Sequence, residues 1–360
     1  MKGPIRLLCA LFLAGFLLSA ASGETLRVQG GESFTVSFVG DCSIGDSIQY
    51  RLAASSYHNT IAQKGYAWPF SLLSHYLKAD DLTVANLEGV FTLRSQHKSK
   101  RYNLVADPGH AQALVDGGID MVNTANNHSM DFYEAGYRDS LAALEKAGVA
   151  HFGSLSLKDN SLFDVQAVKE VKGIRIGFVG YSYPQAADVA NLAVRIGELR
   201  GELDCRLIVV SLHWGRETFM TPDAWQTRLA KSLIDAGADV IYGHHPHVVQ
   251  PIQFYRGKPI FYSTGNFTFG TMSHVDPSTG IFQLRYRLLG DEPVLEEMRV
   301  VPCRTQRSPD YRPYELSDAL QRQDVFRKLI MKTARDGFEN LPASFALTGK
   351  VRIENARLVP

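Results

Sequence analysis

The segment Ala238–Ile252 reads ADVIYGHHPHVVQPI and places three histidines within four positions, directly after a short apolar run. The run Val240–Tyr242 has the length and composition of a buried strand, and Gly243 follows it. A neutral imidazole serves as a metal ligand or a general base, and it packs no better than leucine. We therefore expect His244, His245 and His247 to have a chemical role at the end of this strand.

The composition of the whole chain is that of a globular protein. It has 360 residues, a net charge of +1, 45% hydrophobic residues and 21% charged residues. Because there is no basic excess, we do not expect a nucleic-acid partner. Beyond the N-terminal region the chain has an odd number of cysteines, Cys42, Cys205 and Cys303, so a disulfide framework is not expected.

The N-terminus has the layout of a secretory signal peptide. Lys2 and Arg6 precede an apolar stretch, Leu7–Leu18, and small residues follow at 19–23. The apolar stretch is short for a stable membrane span. We expect residues 1–23 to be removed and the remaining chain to lie in the periplasm or at the cell surface, without a transmembrane segment. An uncleaved N-terminal anchor is the alternative.

Further along the chain, apolar runs of strand length alternate with helical patterns such as Asp139–Ala147 and Ala224–Ala236, which favours an α/β fold with a parallel or mixed sheet. Residues 31–305 are expected to form one main domain. Residues 306–360, where the pattern loosens, are expected to form a C-terminal extension with a helix at Asp324–Thr333. The predicted strands are Phe34–Val39, Leu82–Ala85, Met121–Asn123, Ile174–Val179, Leu207–Leu212, Val240–Tyr242, Ile260–Tyr262, Ile281–Leu288 and Val294–Val301.

Six of these strands end in polar side chains that packing alone does not explain. In an α/β sheet, ligands bind at the carboxyl ends of the strands, where loops from separate segments converge. We therefore expect the polar residues to share one site. They are Asp41; Asn86 and Glu88; Asn126, Asn127, His128 and Asp131; His213 and Glu217; His244, His245 and His247; and Ser263 and Asn266.

Carboxylates, an asparagine carbonyl and several imidazoles make a mixed nitrogen and oxygen ligand set. Such a set suits manganese, zinc or iron, as one ion or two, rather than Ca²⁺ or a thiolate-bound metal. Pro246 interrupts the strand end between His245 and His247, so both imidazoles can reach a metal from one loop.

In this order, the motifs VGDCSIGDSI, ANLEGVFT, TANNHSMDF, LHWGRE, GHHPHVVQPI and YSTGNFTFG resemble the bacterial capsule-synthesis CapA family of poly-γ-glutamate capsule proteins (PGA_cap). That family belongs to the calcineurin-like metallophosphoesterase superfamily. The resemblance covers roughly Phe34 to Val301. It implies a sandwich of two mixed β-sheets flanked by helices, with a divalent transition-metal site at the strand ends.

The resemblance also implies roles for individual residues. His128 would act on the leaving group of the substrate. Independently of the resemblance, Glu217 or Glu88 is a candidate base in a hydrolase if it is not a metal ligand. The implied metal ligands are Asp41, Glu88, Asn127, His213, His245 and His247. The residues expected to contact the substrate are Asn86, Asn126, Arg101, Ser263 and Asn266.

Two positions depart from the phosphoesterase pattern but agree with the capsule family. Asp41 is followed by Cys42 and Ser43 rather than by the usual x-His, and Asn86-x-Glu88 replaces the second Gly-Asp motif. Sites with one ion and with two ions both remain open, as does a site that binds without turnover.

Three functions are compatible with the sequence. The first is an exported metal-dependent hydrolase of capsule, exopolysaccharide or poly-γ-glutamate biosynthesis, acting on an anionic polymer or a phosphate ester. The second is a non-catalytic component of capsule assembly or export, which would bind an anionic polymer through Arg94, Lys98, Lys100 and Arg101. The third is a GDSL-type serine esterase with Ser47, in GDSI, as its nucleophile.

Overall fold

The apolar runs become the strands of two large sheets in a computed structural model, which describes residues 32–153, 166–270, 274–333 and 337–359. Residues 32–359 belong to one compact unit. The expected signal peptide at 1–23 lies outside the described residues. Within the described ranges, no helix is long and apolar enough to cross a membrane.

The strands are numbered in chain order. The first ten are β1 (Ser33–Cys42), β2 (Asp46–Ser47), β3 (Leu82–Leu87), β4 (Val90–Phe91), β5 (Leu104–Ala106), β6 (Met121–Asn123), β7 (Ala150–Phe152), β8 (Gln166–Val171), β9 (Ile174–Ser182) and β10 (Leu207–His213). The next ten are β11 (Val240–His244), β12 (Ile252–Tyr255), β13 (Lys258–Phe261), β14 (Asn266–Thr268), β15 (Ser278–Leu289), β16 (Glu292–Thr305), β17 (Pro313–Glu315), β18 (Phe338–Asn340), β19 (Lys350–Glu354) and β20 (Arg357–Val359).

The helices begin and end at local signals in the sequence. Asp223 and Gln226 form a capping box at the start of α6, and Gly148 ends α4 in the left-handed conformation. The helices are α1 (Tyr57–Lys64), α2 (Ser74–Leu77), α3 (Ala111–Gly117), α4 (Tyr133–Ala147), α5 (Val189–Gly201), α6 (Ala224–Asp235), α7 (Ala319–Lys328) and α8 (Phe345–Thr348).

The strands form two mixed sheets and one small sheet. The first sheet has the order β20-β19-β16-β15-β1-β3-β6-β7, with β14 beside β1 and β17 beside β16. The second sheet has the order β18-β12-β13-β11-β10-β9-β8. In the first sheet β1, β3, β6 and β7 run parallel, and in the second sheet β9, β10, β11 and β13 do. Strands β2, β5 and β4 form the small sheet.

The two large sheets pack face to face over a shared apolar core. Phe38 of the first sheet packs on Tyr242 of the second, with ring centroids 4.8 Å apart, and Phe261 packs on Phe282 at 5.4 Å. Each such buried ring contributes about 1.5–3 kcal/mol by leaving water. The Tyr242 hydroxyl also donates to the Val84 carbonyl at 3.2 Å, which links the sheets through a polar contact.

Helices cover the outer faces of both sheets. Leu114 of α3 and Leu144 of α4 pack in a second cluster with Val122 of the first sheet. Ile196 of α5 and Leu233 of α6 pack with other apolar residues of the second sheet in a third cluster. The predicted fold class, an α/β sandwich of two mixed sheets flanked by helices, is confirmed.

The C-terminal residues continue the two sheets. Strands β17 and β19 pair with β16 of the first sheet, and β18 pairs with β12 of the second. Phe326 and Phe345 belong to the core between the sheets. Helix α7 spans Ala319–Lys328, several residues earlier than the expected Asp324–Thr333, because Asp318 caps it by accepting from the Gln321 amide.

Candidate metal centre

The polar strand ends of the two sheets converge on one cluster, which we call the strand-end site: Asp41, Glu88, Asn127, His128, His213, His245 and His247. The register of neighbouring strands brings some of these residues side by side. Asp41 of β1 lies opposite Asn86 of β3 and Asn266 of β14, and His213 of β10 lies opposite His244 of β11. The predicted convergence at the carboxyl ends of parallel strands is therefore present in the structure.

His247 lies between the two buried carboxylates of the site. Its Nδ1 is 3.5 Å from Asp41 Oδ2, and its Nε2 is 3.6 Å from Glu88 Oε1. One potential ligand atom from each of Asp41, Glu88 and His247 lies within 4.8 Å of the others. This spacing is suitable for one small cation held by three side chains.

A second group of potential ligands shares His247. Atoms of Glu217, His245 and His247 also lie within 4.8 Å of one another, although Glu217 is exposed. The imidazole of His213 lies beside this group, 4.7 Å from that of His245 between ring centroids. Two neighbouring sets that share one histidine leave room for one ion or for two.

Several buried polar atoms of the site have no hydrogen-bond partner among the described residues. Burial without a partner costs such an atom about 1–3 kcal/mol, and a bound ion or water is a recognised explanation. The atoms are Oδ2 of Asp41, Oε1 of Glu88, Oδ1 of Asn127, both ring nitrogens of His213 and Nε2 of His244. All but the last belong to predicted ligands, so the donor set fits a divalent transition metal.

The two buried carboxylates have opposite pKa shifts. Burial raises the pKa of Glu88 well above its usual range, and the charges of Asp41, Glu217 and Asp131 raise it further. Burial also acts to raise the pKa of Asp41, but the hydrogen bond from His244 and the charges of His244 and His247 outweigh it and lower that pKa. A cation at the site would relieve the repulsion that Glu88 experiences.

Burial favours the neutral form of His213 and His245. Burial lowers the pKa of His245 to about 3, with a further contribution from His247. Burial and the neighbouring histidines lower the pKa of His213 well below its usual value. A neutral imidazole keeps a lone pair available, as a metal ligand must.

The backbone of the histidine loop is in an uncommon conformation. His245 has φ of 99° and His247 has φ of 60°, with Pro246 between them. A positive φ is strained for a non-glycine residue, and such strain is often found at functional sites. Here it brings both imidazoles to the same cluster, as expected from the position of Pro246.

His128 is held beside the cluster by an acid–base network. Its Nδ1 lies 2.8 Å from Asp131 Oδ2, and its Nε2 lies 3.9 Å from Glu88 Oε1. Lys100 forms an ion pair with Asp131 and donates to the Asn127 carbonyl at 3.1 Å. Burial lowers the pKa of His128, which the hydrogen bond and charge of Asp131 partly oppose.

The predicted substrate contacts fall into two groups. Three are buried beside the site: Asn86 donates to Asp41 at 2.9 Å, Asn126 donates to the Leu87 carbonyl at 2.7 Å, and Asn266 Oδ1 is 2.9 Å from Nδ1 of His247. Ser263 is also buried, and its hydroxyl accepts from the Gly265 amide at 3.4 Å. Arg101 instead is exposed, and its guanidinium lies over the ring of Tyr102.

The alternative nucleophile, Ser47, lies in β2 of the small sheet, where its hydroxyl contacts the side chain of Gln49. Within the ranges that the structure describes, no histidine is hydrogen-bonded to that hydroxyl. Asp46, the residue before it, accepts from the amides of Tyr57 and His58 at the start of α1. This local structure favours a structural role for the GDSI segment.

Sequence reasoning gave Tyr183 no role. It placed Asp131 among the polar strand-end residues and Lys100 in the basic segment, but it did not predict that Asp131 contacts both His128 and Lys100. Tyr183 directly follows β9, so the strand-end rule that selected the other residues would have selected it too. Its hydroxyl is 3.1 Å from Nε2 of His245. Lys100 is part of a basic segment, and the sequence carries no signal that distinguishes it from Arg101.

Comparison with known proteins agrees with this structure. The chain matches the bacterial capsule synthesis protein PGA_cap family over residues 35–271. It is 28% identical over 328 residues to the capsule biosynthesis protein CapA of Bacillus anthracis, covering 84% of this chain and 74% of that protein. It is 30% identical over 271 residues to the PGA biosynthesis protein CapA of Bacillus subtilis (strain 168), covering 69% and 67%.

Among solved structures, a 5'-nucleotidase precursor from Thermus thermophilus matches with a TM-score of 0.46 and 15% identity, covering 82% of this chain and 58% of that one. The family match spans more than half of the chain and includes every residue of the strand-end site. The chain therefore belongs to the bacterial capsule synthesis protein PGA_cap family.

Proposed function

We propose that this protein is an exported, metal-dependent hydrolase of capsule or poly-γ-glutamate biosynthesis. One observation carries the hydrolase assignment: buried, unpartnered ligand atoms lie beside a histidine that an aspartate orients. The motifs of the sequence, which resemble those of metallophosphoesterases, support the same chemistry. The biosynthetic context rests on the family, whose relatives include capsule and PGA biosynthesis proteins.

The ligands of the metal would be Asp41, Glu88, Asn127, His213, His245 and His247. A divalent manganese, zinc or iron ion bound there, as one ion or two, would supply Lewis acidity for the hydrolysis of an ester or amide. His244 and Asn86 keep Asp41 in position through hydrogen bonds of 2.9 Å to its Oδ1. Such supporting contacts orient ligands and typically affect metal affinity about 10- to 100-fold.

His128 would handle the proton of the leaving group. Asp131 fixes the ring through Nδ1, which directs Nε2 towards Glu88 and the cluster. In its protonated form, Nε2 can donate to an oxygen or nitrogen that leaves the substrate. Glu217, exposed at the edge of the site, is placed to act as a base or as a further ligand.

The substrate would be an anionic polymer or a phosphate ester. Lys100 is the basic residue that reaches the site, whereas Arg94 is paired with Asp139 and Arg101 lies over Tyr102. Recognition by the basic segment would therefore involve Lys100, which also pairs with Asp131, rather than Arg101.

The test is turnover in the presence and absence of metal. Protein purified without chelator is assayed on a generic phosphodiester, a phosphomonoester, a carboxylic ester and an amide, then stripped of metal and reloaded. We expect activity that is lost with the metal and restored by manganese, zinc or iron. His245→Ala should behave like the stripped protein, and His75→Ala, on the exposed face of α2, should behave like the wild type.

The alternative function, a non-catalytic component of capsule assembly or export, is distinguished by the same experiment. Metal-loaded protein that binds poly-γ-glutamate but turns over none of the four substrates would replace the hydrolase with that alternative. Export is tested separately, by N-terminal sequencing of the secreted or periplasmic protein. We expect a first residue near 21–24, and a cytosolic protein that retains Met1 would contradict export.

A further inference from the structure

Tyr183 lies at the entrance of the strand-end site without a role in the proposed chemistry. It follows the last residue of β9, and its amide donates to the His213 carbonyl at 2.8 Å. Its φ of 49° is in the left-handed region, which is uncommon for an aromatic residue. The hydrogen bond and the turn together direct the side chain towards the histidines rather than along the strand.

The Tyr183 ring packs edge-on against two of the predicted ligands. Its centroid is 6.0 Å from that of His213 and 5.1 Å from that of His245, at interplanar angles of 83° and 75°. The hydroxyl lies 3.1 Å from Nε2 and 3.5 Å from Nδ1 of His245. The side chain is nevertheless 42% exposed, so the phenol contacts both the cluster and the solvent.

The position of the Tyr183 hydroxyl indicates which hydrogen-bond acceptor it has once a metal and a substrate are bound at the site. A metal bound by His245 occupies one of the two ring nitrogens that the hydroxyl now contacts. A phenol has an ordinary pKa of about 10, so it carries a proton to donate at neutral pH. Because the phenol faces the solvent-accessible side of the cluster, the nearest new acceptor is an oxygen of a molecule bound at that side.

We propose that Tyr183 is a substrate-contacting residue, whose phenol donates a hydrogen bond to an anionic oxygen of the molecule bound at the strand-end site. A non-bridging phosphoryl oxygen and a carboxylate oxygen both have this chemistry. The inference rests on the proposed metal site, and it adds a determinant of substrate class: the substrate presents an anionic oxygen next to the reacting bond. Such a donor stabilises charge that develops on that oxygen.

The test is Tyr183→Phe, which keeps the ring and its edge-on packing and removes only the hydroxyl. Inorganic phosphate and acetate are the probes, and their Kd for the metal-loaded protein is measured by calorimetry, without turnover. We expect the variant to bind phosphate about 10- to 100-fold more weakly, the size of a hydrogen bond to a charged group. We expect kcat/KM on the generic phosphodiester to fall by a similar factor, while metal content and Tm stay at wild-type values.

Tyr66→Phe is the matched control. Tyr66 is 40% exposed, and its ring lies edge-on to His110 with centroids 6.3 Å apart, outside the strand-end site. Its loss of a hydroxyl should leave phosphate affinity and kcat/KM within about two-fold of the wild type, as for other surface changes.

Three results would overturn the inference. The first is phosphate and acetate affinity that is the same in Tyr183→Phe and in the wild type. The second is loss of metal from Tyr183→Phe, which would make the phenol a ligand. The third is a wild type that binds neither anion. A wild type that binds phosphate but hydrolyses nothing contradicts the proposed hydrolase alone, because the phosphate affinities still decide the role of Tyr183.

Discussion

The two ends of the parallel strands carry charged residues in opposite arrangements. At the amino ends, a cavity of about 790 Å³ lies between the sheets. Several of its charges pair with opposite charges: Asp239 accepts from Lys258 at 2.5 Å and from Arg200 at 2.6 Å, and Arg287 pairs with Glu296. At the carboxyl ends, acid faces acid, and Asp41 and Glu88 keep oxygens without a hydrogen-bond partner among the described residues.

This difference favours the strand-end site over the larger cavity as the candidate functional site, because the candidate is identified by its chemistry and not by its volume. Paired charges satisfy one another and need no ligand. Two buried carboxylates that lie close together repel each other, and a cation between them would offset that repulsion. We therefore expect changes at the carboxyl ends to alter metal binding and turnover, and changes at the amino ends to alter stability alone.

The largest expected effect comes from His128→Ala at the carboxyl ends. Removing a general acid lowers kcat by about 10²- to 10⁴-fold. Metal content should stay near the wild-type value, because His128 is not among the proposed ligands. Steady-state kinetics with metal analysis checks this, with His75→Ala as the control. Wild-type turnover in folded, metal-loaded His128→Ala protein would remove the catalytic role.

The next effect comes from Asp239→Asn at the amino ends. The change leaves Lys258 and Arg200 without their negative partner and weakens the hydrogen bond that Asp239 accepts from the Ile208 amide at 2.9 Å. We expect the free energy of unfolding to fall by about 1–3 kcal/mol in urea titrations. Metal content and kcat should not change. A loss of metal here would break the separation between the two ends.

A smaller effect, an increase in stability, is expected from Glu88→Gln in metal-free protein. The folded pKa of Glu88 is raised above its ordinary value of 4.5, so the folded state binds more protons than the unfolded state does. The contribution of Glu88 to stability is therefore present at low pH and is lost as the pH rises above about 4.5.

Glu88→Gln removes this titration. In the absence of metal, we expect its Tm to exceed that of the wild type by a margin that grows from about pH 5 to about pH 8. In the presence of saturating metal the order should reverse, because the variant lacks a ligand. Calorimetric scans with and without metal measure both differences. The proposed repulsion between Glu88 and its neighbouring carboxylates would be contradicted if, at about pH 8 and without metal, the wild type had a higher Tm than the variant.

The smallest effect is expected from Ser47→Ala. Ser47 lies in the small sheet, outside the strand-end site. We expect kcat/KM to remain within about two-fold of the wild type and stability to change by about 1 kcal/mol or less. A large loss of turnover with normal metal content would favour the serine esterase over the metal-dependent hydrolase.

The architecture and the grouping of the polar strand ends were predictable because both follow from strong, repeated signals. The long apolar strands alternate with amphipathic helices, and the carboxyl ends of parallel strands meet at one edge. Asp41, His213 and the histidine loop follow such strands directly, so their convergence could be inferred without coordinates. The pairing of the two sheets came from the resemblance to the capsule family.

What the sequence did not reveal lies in loops and short elements. Lys100 and Arg101 are adjacent in a segment without periodicity, so the pattern cannot indicate which one turns inwards to Asp131. Strands such as β17 and β18 have three residues each, too few for an alternation to be recognised. Tyr183 was missed for a different reason, since an aromatic residue at a strand end is more often a packing residue than a ligand contact.

The most direct test of the strand-end site is the metal content of the purified protein. His247 belongs to both groups of potential ligands, so His247→Ala should remove at least as much metal as His245→Ala does. We predict about one or two manganese, zinc or iron ions per chain in the wild type and in Asp239→Asn, and little metal in His247→Ala. A metal-free wild type, or equal metal content in all three proteins, would contradict the site.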